Sequence, residues 1–115
     1  MREKIRDKDR LGQILEAIEN VFEFTKEVSF EEYKSNKILR FAVVKNLEII
    51  GEASYNLTPY LKNNHPEIEW RVIVGMRHVL VHDYYLIRDE VVWNVLQKDL
   101  QPLKENISLL LKAID

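Results

Sequence analysis

Apolar residues return along this chain at three- and four-residue steps, the spacing that gathers them on one side of an α-helix. Leu11, Ile14, Leu15, Ile18, Val21 and Phe22 do so with Asp, Glu, Gln and Asn between them, which predicts a first helix over roughly Asp7 to Glu27. Ser29 stands three residues before Glu32, a capping-box spacing, so a short helical turn through Tyr33 should reverse the chain. From Asn36 to about Asn56, Leu39, Ala42, Val43, Ile49, Ile50 and Ala53 form a core face with Asn46 among them, while Lys45, Glu48 and Glu52 share another face. Thr58-Pro59 suits the start of a short helix to about Lys62. The polar turn Asn63-Asn64-His65-Pro66 should end it, with His65 as an exposed loop residue.

A further helix is expected from near Pro66 to about His82, with Asp83, Tyr84 and Tyr85 leaving it. Asp89 can cap the next, whose Val92, Trp93, Val95 and Leu96 carry the pattern to about Lys98; Trp70 and Trp93 are expected in the core. Pro102 interrupts that pattern before Leu103, Ile107, Leu110, Leu111 and Ile114 resume it. Only three glycines and three prolines break the chain. Short connections force sequential helices to alternate in direction, so the expected architecture is all-α, an antiparallel up-and-down bundle of four to five helices in one domain over residues 1–115.

Composition narrows the function. A formal net charge of −2 disfavours a broad, non-selective nucleic-acid surface, while a small basic site stays possible. The absence of cysteine removes disulfides and thiolate metal sites. The charged start Met-Arg-Glu-Lys-Ile-Arg has no apolar leader and no run is long enough to span a membrane, so a cytoplasmic protein without membrane association is expected.

Chemistry concentrates between Trp70 and Tyr85. Trp70, Ile73, Val74, Leu80 and Val81 share an apolar stripe with Arg77 in its middle, while Arg71, Gly75, His78 and His82 follow a second strip. An arginine in such a stripe keeps its charge and must meet a carboxylate, a dipole or a ligand anion. Spacing alone leaves two roles open: a structural arginine tying the helix to Glu48 or Glu52, or an anion site. His78 and His82 have the i, i+4 spacing of metal ligands, yet no third ligand follows in the same pattern, so no metal site is expected. A histidine beside an arginine is instead a workable set for cleaving RNA, the imidazole moving protons and the guanidinium holding charge on the phosphate oxygens. Five residues place Arg77 and His82 about 140° apart on a regular helix. A fraying last turn, or two copies of this helix meeting across a dimer axis, would bring them together; Val72 and Val79, opposite Arg77, offer an apolar seam for the second.

The pattern Arg77-x-x-x-x-His82-x-Tyr84 resembles the R-x-x-x-x-H-x-Y motif of HEPN-domain toxins of the HepT type. The segment Asn46-Leu47-Glu48-Ile49-Ile50-Gly51-Glu52-Ala53 resembles that family's counterpart, as do Ile68-Glu69-Trp70-Arg71 and Val91-Val92-Trp93, so the likeness spans nearly the whole chain. His78 stands where the family often has asparagine or another small polar residue. The resemblance implies a homodimeric HEPN-like bundle that cleaves RNA without a metal or other cofactor, encoded beside a nucleotidyltransferase antitoxin of the MntA type. It further implies Arg77 and His82 as the catalytic pair and Tyr84 as the acceptor of AMP from the antitoxin; His78, beside the motif arginine, and Glu48, Glu52 and Asn46, placed by helix spacing, are the candidate supporting residues, against a solvated charged face as the plain reading of the two glutamates. Two other readings stay open: a module of the same fold that binds nucleotide or RNA without cleaving it, and a structural partner of the nucleotidyltransferase.

Overall fold

The computed structural model describes the backbone of residues 2–82 and 88–114 and the side chains of 6–78, 80 and 88–114. Among these residues it contains helices and no strands: α1 (Arg2–Phe24), α2 (Phe30–Ser35), α3 (Lys37–Asn56), α4 (Pro59–Asn64), α5 (Trp70–His82), α6 (Asp89–Lys98) and α7 (Leu100–Ile114). The five longer helices are those expected from periodicity, and α2 and α4 are short corners between them. Their starts follow local rules. Ser29 and Glu32 form the capping box of α2, the Asn36 side chain accepts from the Leu39 amide to open α3, and Thr58 caps α4 with Pro59 behind it.

Several boundaries differ from expectation: α1 begins at Arg2, five residues before Asp7, and α4 runs on to Asn64. α1 ends at Phe24, three residues early, because the Thr25 hydroxyl donates to the Val21 carbonyl and Glu27 adopts a left-handed conformation with φ 59°. α5 starts at Trp70 and not near Pro66; the Trp70 indole donates to the His65 carbonyl and holds 66–69 as a turn. His65 is accordingly half-buried, with Nδ1 3.2 Å from a Glu67 carboxylate oxygen. Asp89 is the first residue of α6, and Arg88, in cap position, makes no side-chain cap bond. Pro102 lies in the first turn of α7, where a missing amide proton costs nothing, so the break between α6 and α7 falls at Asp99.

α3 is the central helix, packed most extensively on α1 and α5, while α7 packs against α1. Two polar contacts show that α1 and α3 run antiparallel: Asp7 near the start of α1 reaches Thr58 beyond the end of α3, and Asn20 near the end of α1 reaches Asn46. Leu11, Ile14, Ile18 and Val21 of α1 meet Val43, Leu47 and Ile50 of α3 and Ile107 of α7 in a core closed to solvent. Trp70 is buried there, whereas Trp93 is half-buried and tilts against Phe30 and Tyr33. Tyr33 is fully enclosed with no partner for its hydroxyl among the described residues, and burial, helped by Asp89, pushes its pKa up to about 12.

Asp7, 5% exposed, is the one buried carboxylate among the described residues. It accepts from the Thr58 amide at 2.9 Å and from the Thr58 hydroxyl at 2.6 Å, while the same hydroxyl accepts from the Leu61 amide at 3.3 Å. One side chain thus fixes the corner after α3 and aligns the cap of α4. Asp7→Ala strands a buried amide and should lower the unfolding free energy by about 2–3 kcal/mol. Urea denaturation measures this, and a change below about 0.5 kcal/mol would show that solvent replaces the carboxylate at no cost.

Candidate functional site

Arg77 projects from α5 where that helix crosses α3, and Gly51 makes so close a crossing possible. A Cβ added at Gly51 would lie 2.2 Å from the Arg77 Cβ and 3.1 Å from its Cα. A glycine inside a helix costs about 1 kcal/mol against alanine, and here it is the absence of a side chain that lets the arginine backbone sit down on α3.

The next residues of α3 then take hold of the guanidinium. Arg77 Nε donates to Glu52 Oε2 at 2.6 Å, and the guanidinium carbon lies 5.9 Å from the centre of the Tyr55 ring, one turn further along α3. Because the bond uses Nε, the two terminal amino groups make no hydrogen bond among the described residues, and the side chain is 31% exposed. An arginine restrained at its stem with a free outer edge presents two parallel donors, the arrangement that matches a phosphate or carboxylate.

Arg77 lines a cleft of about 510 Å³ whose other lining residues come from α1 and α3. Asn46, 7% exposed, forms part of its floor; its amide nitrogen donates to the Ala42 carbonyl at 2.8 Å and its oxygen accepts from Asn20 at 3.1 Å. Ala17, Ile49 and Ala53 supply apolar surface, and Gln13, Glu16 and Glu48 stand around the rim. Lys45 Nζ lies 4.0 Å from the Glu48 carboxylate in a loose, exposed pair.

The supporting residues expected from sequence therefore separate. Glu52 is the arginine's partner, Glu48 faces Lys45 and lines the cleft, and Asn46 is locked beneath it. His78 is exposed, one residue and about 100° around α5 from Arg77. α5 stays helical to its last residue, His82, so its backbone keeps that position about 140° from Arg77. The side chains of His82 and Val79, and Tyr84 altogether, lie outside the described residues. Val72 is 63% exposed on the outer side of α5. Gly75 is exposed too, and a Cβ added there would meet nothing within 4 Å, so no contact among the described residues requires that glycine.

Sequence reasoning missed Gly51, Tyr55 and Asn20. A glycine within a helical pattern was the available sign for Gly51; nothing near Asn20 in sequence announces a bond to a residue 26 positions away. Among the described residues no helix is long and apolar enough to cross a membrane, and no three His, Asp or Glu are grouped to hold a metal ion.

A family model described as "Ribonuclease HepT-like" matches residues 14–110, which include all the residues of the cleft except Gln13. The chain is 44% identical over 105 residues to a Thermococcus cleftensis protein named "Probable ribonuclease HepT", covering 91% of this chain and 96% of that relative. It is 35% identical over 99 residues to a "Putative RNase" of Methanocaldococcus jannaschii, covering 86% and 91% of the two. A "Putative RNase" of Caldanaerobacter subterraneus is 33% identical over 102 residues, covering 89% and 91%. No solved structure matches the chain.

Proposed function

The chain belongs to the HepT-like ribonuclease family, and from that premise we propose that it is the RNA-cleaving toxin of a toxin–antitoxin pair, working as a homodimer with Arg77 and His82 as its catalytic residues. The observation that carries this reading is the Arg77 guanidinium, tied back by Glu52 through Nε, with no hydrogen bond to its terminal amino groups among the described residues, and lining a cleft.

In the proposed reaction the 2′-hydroxyl attacks the neighbouring phosphorus, the bond from phosphorus to the 5′-oxygen breaks, and a 2′,3′-cyclic phosphate and a free 5′-hydroxyl result. The 2′-hydroxyl gives up a proton and the departing oxygen takes one, which an imidazole can mediate near neutral pH. Arg77 holds the non-bridging oxygens through both terminal amino groups while charge builds on them. No step calls for a metal ion.

The positions of Arg77 and His82 on opposite parts of α5 favour a site that draws on two copies. Exposed Val72 and the open space around Gly75 mark the side of α5 where a second copy can approach. His82→Ala should abolish cleavage and growth inhibition while RNA binding persists. Gel assays of cleavage with filter binding measure both, and undiminished cleavage by the variant would remove His82 from the mechanism.

Silencing by a cognate nucleotidyltransferase fits the same site. Transfer of AMP from ATP to the Tyr84 hydroxyl, which breaks the bond to the β-phosphate and releases pyrophosphate and the phenolic proton, would place phosphate charge and a purine two residues from His82, opposing the entry of RNA. Intact mass after incubation with such an enzyme and ATP should rise by one or more AMP units. An identical rise in Tyr84→Phe would assign the acceptor elsewhere.

A further inference from the structure

We propose that the cleft between α1 and α3 seats the base of the nucleotide beside the scissile phosphate and prefers guanine there. This rests on the reading of Arg77 as the phosphate site and adds a specificity to it.

The cleft is continuous with Arg77, and its volume of about 510 Å³ falls within the usual range for small-ligand sites. Phosphate held at Arg77 leaves the attached nucleoside facing this space. Charge then decides what enters. Glu16, Glu48 and Glu52 line the cleft against Lys45 and Arg77, so a second phosphate is repelled and an uncharged ring is admitted. Ala17, Ile49 and Ala53 give that ring an apolar surface to lie on.

The hydrogen-bonding character of the wall follows from one fixed point. The Ala42 carbonyl can only accept, so Asn46 must turn its nitrogen toward it and its oxygen toward Asn20. Asn20 must then donate through its own nitrogen, which leaves its side-chain oxygen as an acceptor. Together with the Glu48 carboxylate, bound only loosely by Lys45, this makes the wall rich in acceptors. Guanine alone offers two adjacent donors, N1–H and the 2-amino group, that one carboxylate can take in parallel. Adenine and cytosine each set an amino group beside an acceptor nitrogen, and uracil sets one N–H between two carbonyls.

The test uses the full chain carrying His82→Ala, so that RNA is bound and not cut. Fluorescence anisotropy compares uridine oligomers holding a single guanine, adenine, cytosine or inosine. Guanine should bind about tenfold more tightly than adenine or cytosine, and inosine, which lacks the 2-amino group, should lose most of that advantage. Adding Glu48→Gln should bring the guanine-to-adenine ratio close to one. Equal affinity for all four oligomers, or a guanine preference that survives Glu48→Gln, would overturn the proposal. Failure of the phosphate reading looks different: Arg77→Ala would leave every affinity unchanged. If no oligomer binds at all, guanosine without phosphate is titrated against the ¹⁵N-labelled protein. Shifts of the Asn20 and Asn46 side-chain amides with guanosine and not adenosine support the base site, and no shift with either overturns it.

Discussion

Arg77→Ala is expected to slow RNA cleavage by about two to three orders of magnitude, the usual cost of removing a group that stabilises charge in a transition state, with little loss of stability. The two effects separate because of how Arg77 is held. Its Cβ, the part that rests on Gly51, survives in alanine, and its bond to Glu52 lies at a partly exposed position where an ion pair contributes only about 0–1 kcal/mol. Single-turnover cleavage and thermal unfolding, measured on one preparation, make the comparison. Arg77→Lys should recover little activity, since an ammonium cannot be held at its stem by Glu52 while offering two parallel donors to phosphate. Glu52→Gln should fall between wild type and Arg77→Ala, because it loosens the guanidinium without removing it. Wild-type cleavage by Arg77→Ala would show that the arginine only joins α5 to α3. A cleavage defect matched by a collapse in melting temperature would say the same.

Gly51→Ala should destabilise the bundle, although alanine is the stronger helix former. The new methyl would stand 2.2 Å from the Arg77 Cβ and 3.1 Å from its Cα, and no rotamer change can move either atom. α5 has to shift away from α3. Overpacking of this kind costs about 1–3 kcal/mol, against a gain of ~1 kcal/mol from helix propensity, so the net expectation is a loss of up to about 2 kcal/mol. Arg77 moves with α5, and cleavage should fall further than stability alone explains. Gly12→Ala is the matched control, because a Cβ there meets nothing within 4 Å; it should leave stability unchanged or raise it by up to ~1 kcal/mol. Denaturant titrations of the two variants decide the matter, and equal behaviour would mean that the α3–α5 crossing is loose enough to absorb a methyl.

The part of this protein that could be read from its sequence is the part set by near neighbours. The five longer helices follow from apolar spacing, and Ser29, Asn36 and Thr58 start helices through bonds to amides three residues ahead. Where a boundary was misplaced, a longer-range or stereochemical effect had intervened. Asp89 looks like a cap in sequence, yet in the fold it is the first residue of α6 and lies 3.9 Å from Arg40 of α3. Pro102 looks like a break, yet it falls in a first turn that needs no amide proton from it. Arg77 was recognisable as a charge that had to find a partner; spacing could not choose between Glu48 and Glu52, which sit one turn apart on the same helix.

What the order of residues determined by itself is therefore the all-helical bundle, its caps and corners, and the presence of an arginine out of place on an apolar face, since each depends on positions within a turn or two of one another. Tertiary structure alone decided that Gly51 lets α5 descend onto α3, that Glu52 and not Glu48 receives the guanidinium, and that Asn20 and Asn46 floor a cleft beside it. Those contacts join residues 25 or 26 positions apart. Only the packing of whole helices, driven by burial of their apolar faces, fixes which of their polar side chains meet.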